Sequence, residues 1–525
     1  MVKKPSENLH AEASYAPSKL EMRDYYLWTW TYWKRHGISG PSGFPIIGNA
    51  LEMLDSQNPP YLQLKEWTKE YGKVYGITEG LSKTLVISDP ELVQEVFVKQ
   101  YDNFFGRKLN PIQGDPNKDK RIHLFAAQGH RWKRLRTISS PTFSNNSLRK
   151  LKTTVEDCAL ELLRHIEQRT AGGKSIDLLT FYQEFTLDVI GRIAMGQTDS
   201  QMFKNPMLKY VRAVFGEPRK AIFLSGAVVP WTGPVLRKVL FSLPQLFKNP
   251  AVHIIRQTQE AVEARIAQRK ADEKAGIELG EPQDFIDLFL DAKADDVEIE
   301  NNEDFTKTGV KVNRQLTVDE IVGQCFVFLL AGFDTTALSL SYSSFLLATH
   351  PEIQKKLQEE VDRECPDPEI SFDQLSKLKY LECVVKETLR LYPLGALANS
   401  RRCMRATKIG KYEIEEGIDV MCDTWTLHSD KSIWGEDAEE FKPERWESGD
   451  EHFFQKGGYI PFGLGPRQCI GMRLAYMEEK LLLSHILRKY TLETCSKTQI
   501  PLKLVGSRTT QPESVWVNLK PRDDI

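Results

Sequence analysis

Eight cysteines are spread along the 525 residues, and one of them, Cys469, stands in a setting that the others do not share. It lies in PFGLGPRQCIGMRLA, Pro461 to Ala475, where Gly463, Gly465, Gly471 and Pro466 make a compact loop that leads into an apolar, helix-forming run. The sulfur is therefore expected near a helix N-terminus, where backbone N–H groups and the helix dipole favour a thiolate, with the Arg467 guanidinium close by. A single thiolate ligand without His or Cys partners suits iron held otherwise by a macrocycle, because zinc demands three or four protein ligands. The other use of such a cysteine is a buried turn residue. That plain structural role is assigned to Cys325 and Cys383, which sit inside apolar helical runs.

A second group with chemical potential lies upstream. After Thr317-x-x-Glu320, a capping-box pattern, the run IVGQCFVFLLAGF meets Asp334, Thr335 and Thr336. A charge and two hydroxyls are poor mid-helix residues. The Thr335 hydroxyl can bond back to the Ala331 carbonyl and, beside Gly332, open a small groove, although a harmless polar step on one helix face is the plainer use. Helical spacing sets Val327, Leu330, Ala331 and Thr335 on one stripe. Glu387 and Arg390 are three apart and Trp132 and Arg136 four apart, so each pair shares a helical face.

The elements that must position these groups are mostly helical. Periodicity and capping predict helices over about 60–71, 90–99, 128–140, 147–169, 176–196, 250–272, 318–348, 351–364, 377–391 and 471–488. Strand-like runs occupy 74–77, 84–88, parts of 396–422 and 514–519. The expected class is mainly α with a small mixed β region. Segment 293–315 reads as a charged, Asn-rich loop outside the core. Seventy basic against 72 acidic residues give a net charge of −2, so no bulk field favours nucleic acid, and the cysteines form no CxxC pair or disulfide framework.

The pattern Phe462-Gly463-x-Gly465-x-Arg467-x-Cys469-x-Gly471 resembles the haem-thiolate loop of the cytochrome P450 superfamily. Trp132-x-x-x-Arg136, the AGFDTT run from Ala331 to Thr336, Glu387-x-x-Arg390 and FKPERW from Phe441 to Trp446 follow the family's order, and the likeness spans nearly everything after Gly40. WKRLR…SPTF and GPRQCIGMRLA resemble most closely the animal microsomal clan that contains the 3A subfamily, in a nematode version. The resemblance implies the P450 fold over 40–525 and haem b (iron protoporphyrin IX) with Cys469 as the iron ligand. It also implies Trp132, Arg136, Arg467 and Arg401 (rather than Arg402) at the propionates, and Glu387, Arg390 and Arg445 as a buried structural network. By the same resemblance, Thr335 donates a hydrogen bond where oxygen binds, Asp334 helps relay protons from solvent, and Phe125, Ala396 and Leu397 join Val327, Leu330 and Ala331 around the substrate.

The implied activity is a monooxygenase that inserts one atom of O2 into a lipophilic small molecule, whether sterol, fatty acid or xenobiotic. Electrons would come from NADPH through cytochrome P450 reductase, with cytochrome b5 as a further partner, on the cytoplasmic face of the endoplasmic reticulum membrane. A haem sensor would not need the Asp334–Thr335 pair, and the pair also weighs against a reductase-independent peroxide isomerase. Residues 1–39 form the expected departure from the family: a polar tail, disordered over the first 24 residues, precedes YYLWTWTYW, Tyr25 to Trp33, then Lys34 and Arg35. The aromatic run is expected to lie in a membrane interface, and side chains among Arg131, Lys133 and Arg134, Lys133 and Arg134 first, to turn to the reductase-facing surface.

Overall fold

The structure is a computed structural model that describes residues 19–522 except 114, 172, 244–248, 279, 283, 293–315 and 448–456. The Asn-rich 293–315 segment therefore lies outside the described residues. At the centre is one 32-residue helix, Val318–Thr349. Thr317 closes its first turn in the expected capping box, accepting from the Glu320 backbone N–H at 3.2 Å while Glu320 accepts from the Thr317 backbone N–H at 3.2 Å. From Thr336 to Ala348 every residue is buried, because helices press on the central one from all sides: Leu178–Ala194, Pro250–Lys274, Lys379–Leu391 and Met472–Lys489. It is long and apolar enough to cross a membrane by composition, yet it serves as the core helix.

A small sheet flanks this bundle, with Val74–Glu79, Ser82–Ile87, Asp419–Cys422 and Ser400–Arg402 side by side in that order. The outer pairings are antiparallel and the middle one is parallel, with Leu85 opposite Val420 and Arg401 opposite Val420 on its other side. The last three-stranded sheet joins Ile176–Asp177, Trp516–Pro521 and Tyr490–Glu493. The ten expected helices are present to within a few residues; the one predicted over 90–99 continues from Pro90–Gln94 into a wider turn, Glu95–Lys99. Helices Met207–Phe215, Lys220–Val228, Gly233–Ser242 and Phe285–Asp291 were not foreseen. They are short, so tertiary packing rather than periodicity holds them: the first three line the cavity described below, and Phe285–Asp291 packs on Phe143 and Phe328.

The N-terminal aromatic run departs from expectation. A helix covers Lys19–Trp30, so residues 19–24 are helical rather than disordered, and a further turn covers Tyr32–Arg35. Tyr32 and Trp33 are core residues at 2% and 5% exposure. The Trp33 ring lies on Gly76, where even a Cβ would come within 2.2 Å of it, and its Nε1 donates to the Ile77 carbonyl at 2.8 Å. Trp30 donates to the Ser42 carbonyl and Tyr26 to that of Val228. The end of the run is thus part of the globular body, because an indole and a phenol gain more from a closed sheet edge than from an interface. Leu27 remains exposed.

Candidate functional site

The Cys469 loop is built on glycine. Gly463 and Gly465 hold φ of +76° and +73°, and a Cβ on Gly465 would lie 2.1 Å from the Phe97 carbonyl oxygen. This close approach lets the loop fold back so that the Cys469 N–H donates to Phe462 at 2.8 Å. The helix Met472–Lys489 begins three residues after the cysteine. The sulfur lies deep in the fold yet faces open interior space. Burial holds the thiol above its usual pKa, against the pull of the Gly471 and Met472 backbone N–H groups and of Arg136 and Arg107. The donors expected to stabilise a thiolate are therefore in place, but desolvation outweighs them until a cation shares the site.

Around that space stand four arginines. Arg401 is buried between Phe97, 4.3 Å under its guanidinium, and the Leu464 carbonyl, to which Nη2 donates at 3.1 Å. Arg467 donates from Nη2 to Ala127 at 2.6 Å and lies 4.8 Å from the centre of the Trp132 ring. Arg136 donates to the Gln468 carbonyl at 2.8 Å. The fourth, Arg107, donates to the Ala398 carbonyl at 2.5 Å and packs on Phe125 at 4.2 Å. None of the four forms an ion pair with a carboxylate among the described residues, and Nε of Arg107, Arg401 and Arg467 is buried without an acceptor. Burial and mutual repulsion hold Arg401 down at about 9 and Arg107 well below its usual value. Arg402 belongs elsewhere, its charge acting on Asp419 in the neighbouring strand.

Arg107 and Tyr101 were missed by the sequence reading. The Tyr101 phenol, raised by burial, sits within the field of Arg467, Arg401 and Arg107, and its ring is 5.8 Å from that of Trp132. Nothing in YDNFFGRKLN sets these two apart from surface residues; only the fold brings them beside Cys469.

On the central helix, the predicted stripe is the part that stays open. Ala331 is exposed and Val327, Leu330 and Thr335 are half-buried in a helix otherwise closed around them. The Thr335 hydroxyl donates to the Ala331 carbonyl at 2.7 Å. Phe125 is likewise exposed to the interior. Leu397 instead packs toward Tyr61 and Trp425, and only the backbone of Ala396 is described, in the short turn Ala396–Ala398.

Asp334 is placed differently from the expected solvent relay. It is fully buried, and Oδ2 accepts from Thr509 at 2.6 Å and from Gln511 at 3.1 Å, with the Gln183 side chain also beside the carboxylate. A step of one residue turns it some 100° from Thr335, toward the C-terminal loop. Burial pushes its carboxyl up to about 6. Arg131 and Arg134 are a second correction: both are buried and pair with the fully buried Glu320. Tying the start of the central helix to Gly129–Ser139 takes them away from any docking surface, and Lys133 alone of the three is half-exposed.

The Glu387 network closes on itself. Arg390 binds Glu387 through two 2.8 Å hydrogen bonds, Arg445 adds one at 2.9 Å and the Trp446 Nε1 one at 3.0 Å. Remaining Arg390 donors reach the His428 and Ala438 carbonyls.

Four cations without a carboxylate partner among the described residues, facing the open side of a buried cysteine with an aromatic and aliphatic lining, fit a flat apolar group that carries two carboxylates and a metal at its centre. That is the donor set for haem. The chain belongs to the cytochrome P450 family, whose model matches residues 38–517, and proteins of this family are haem-thiolate monooxygenases. Among its relatives are two Caenorhabditis elegans proteins named cytochrome P450 CYP13A10 and CYP13A1, each 66% identical over 95% of this chain and 96% of their own. CYP13A2 of the same organism is 59% identical over the same shares.

Proposed function

We propose that this chain oxidises a lipophilic small molecule at the centre bounded by Cys469, the arginine cluster and Thr335. The observation that carries the proposal is the coincidence of an open-faced Cys469 with buried arginines that lack carboxylate partners. Bound haem supplies oxygen activation and the transfer of one oxygen atom to substrate. Cys469 gives up its thiol proton to become the ligand, and the N–H groups of Gly471 and Met472 hold charge on the sulfur. Arg107, Arg401 and Arg467, with Arg136 and Trp132, hold the two propionates.

Thr335 carries an exchangeable proton at Oγ1, now directed to Ala331, and delivers a hydrogen bond on the open side of the helix. Asp334, pinned by Thr509 and Gln511, fixes the helix against the C-terminal loop and keeps Thr335 in register. Val327 and Leu330 exclude water, which suits an apolar substrate. Electrons come from NADPH through cytochrome P450 reductase, with cytochrome b5 as a second donor. The docking charge is carried by Lys133 and the exposed Arg473 beside the cysteine loop. The enzyme works on the cytoplasmic face of the endoplasmic reticulum membrane, attached through its N-terminal segment.

The test is the reduced carbon monoxide complex. Wild-type protein and Cys325→Ser are expected to show the red-shifted Soret band of thiolate ligation, and Cys469→Ser to lose it. An unchanged band in Cys469→Ser would overturn the assignment.

A further inference from the structure

Beside the first half of the central helix lies a cavity of about 570 Å³ that does not include Cys469. Val322 and Phe326 form one wall, Ile222 and Phe223 of the unforeseen helix Lys220–Val228 another. Among the charged groups of its lining, Asp119 is paired to Arg237 at 2.5 Å, Arg121 is paired to Asp319 at 2.6 Å, and Glu217 accepts from the Ser56 hydroxyl.

Arg508 differs from these. It enters the cavity from the C-terminal loop, deep in the fold, with its side chain open to the interior space and with no hydrogen bond or ion pair to any described residue. Burial lowers its pKa, with no carboxylate among the described residues offsetting it. The loop is held in place: Thr509, the next residue, is the group bonded to Asp334, one position from Thr335 on the central helix. A guanidinium facing a cavity deep in the fold with no anion beside it among the described residues favours one, and the aromatic walls on either side cannot supply it. An incoming molecule with an acidic group supplies it and places its apolar body along Phe326 and Phe223.

We infer that Arg508 is the anchor for the acidic group of an anionic amphiphile, so that the substrate is a lipophilic molecule carrying a carboxylate or a sulfate. This rests on the monooxygenase reading for what is then done to the molecule, but the binding itself does not require it. Two sources share the chemistry, a fatty acid and an acidic steroid, and pairs of probes separate them: laurate against methyl laurate, and a steroid sulfate against its free alcohol.

Equilibrium binding of labelled probes to the holoprotein is the measurement. At least one acid is expected to bind about 10- to 100-fold more tightly than its neutral counterpart, the usual worth of a buried arginine–anion pair. Arg508→Gln is expected to remove that preference while leaving the neutral probe unchanged, and Arg508→Lys to keep part of it. Preference for laurate alone, or for the sulfate alone, supports the proposal and names the source. Equal binding of acid and neutral probe in both pairs overturns it, as does equal loss of both by Arg508→Gln. The carbon monoxide spectrum of the same samples keeps the two readings apart: an absent red-shifted band with an intact acid preference removes the haem assignment only.

Discussion

Two buried groups of arginines lie in this molecule, and they are finished in opposite ways. Arg390 and Arg445 converge on Glu387, whose two oxygens take three of their hydrogen bonds, and backbone carbonyls take others. Arg131 and Arg134 have their counter-charge in Glu320, although the Arg131 Nε is itself buried without an acceptor. Arg107, Arg401 and Arg467 are as deeply placed, yet no carboxylate among the described residues meets them. A self-satisfied cluster contributes to folding; an unsatisfied one costs stability until a ligand arrives, and so marks where the ligand goes. The difference lies in partners rather than in residue type or burial.

The sharpest way to break the comparison is at Glu387. Glu387→Ala leaves Arg390 buried without a counter-charge and Arg445 with Asp437 alone, and a loss of about 3–5 kcal/mol is expected, the usual cost of removing one partner from a buried pair. Thermal or denaturant unfolding reads it, together with a fall in the yield of folded protein. A shift no larger than that of an exposed charge would place the network among ordinary surface pairs.

Arg134→Glu and Lys133→Glu sharpen it next, because the two adjacent positions differ only in what they face. At 134 the new carboxylate meets Glu320, and a loss of about 2–4 kcal/mol is expected. At 133 the fold is unaffected, and reductase-driven reduction is expected to slow at low ionic strength and recover with salt. Equal destabilisation by both would mean that the helix Gly129–Ser139 tolerates no acid at all.

The unsatisfied cluster should behave in the reverse sense. Arg401→Gln and Arg467→Gln remove a buried charge that has no protein partner, so haem-free protein is expected to unfold no more easily than wild type. Haem transfer to an acceptor globin is expected to quicken by about 10- to 100-fold, since each guanidinium contributes about 1.5–3 kcal/mol to a carboxylate. Destabilised haem-free protein with unaltered haem transfer would erase the distinction drawn above.

The satisfied groups were largely legible in the sequence, and the unsatisfied one only in part. Glu387, Arg390 and the Thr317–Glu320 capping box follow from three-residue spacing on a helix, and the cysteine loop from its glycines, because local geometry dictates these contacts. Arg131 and Arg134 were misread because a helical wheel gives direction but not what lies opposite; Glu320, some 190 residues on, decides that they are buried. Arg107 was invisible for the same reason, its meaning coming from Cys469 and Ala398 across the fold. The aromatic run Tyr25–Trp33 looked like an interface segment by composition, and only the bare backbone at Gly76 shows why Trp33 belongs to the body.

A buried acid with no cation beside it among the described residues completes the set, and its effect is confined to one pH window. Glu479, on the helix that follows Cys469, is 1% exposed, its Oε2 has no hydrogen-bond partner, and burial pushes its carboxyl up to about 8. In the unfolded chain the same group titrates near 4.3. Between about pH 4.5 and pH 8 the folded state therefore holds a proton that the unfolded state has lost, so this group's contribution to stability is full below that window, declines as pH rises through it and is level above. Glu479→Gln removes the titration and also relieves the neighbouring Glu478, whose carboxyl is raised by burial and by Glu479. The variant is expected to match wild type near pH 5 and to exceed it by a few kcal/mol near pH 8, visible as a widening gap in melting temperature across that range. A gap that stays constant with pH would mean that the Glu479 carboxyl is already ionised, with a cation beside it.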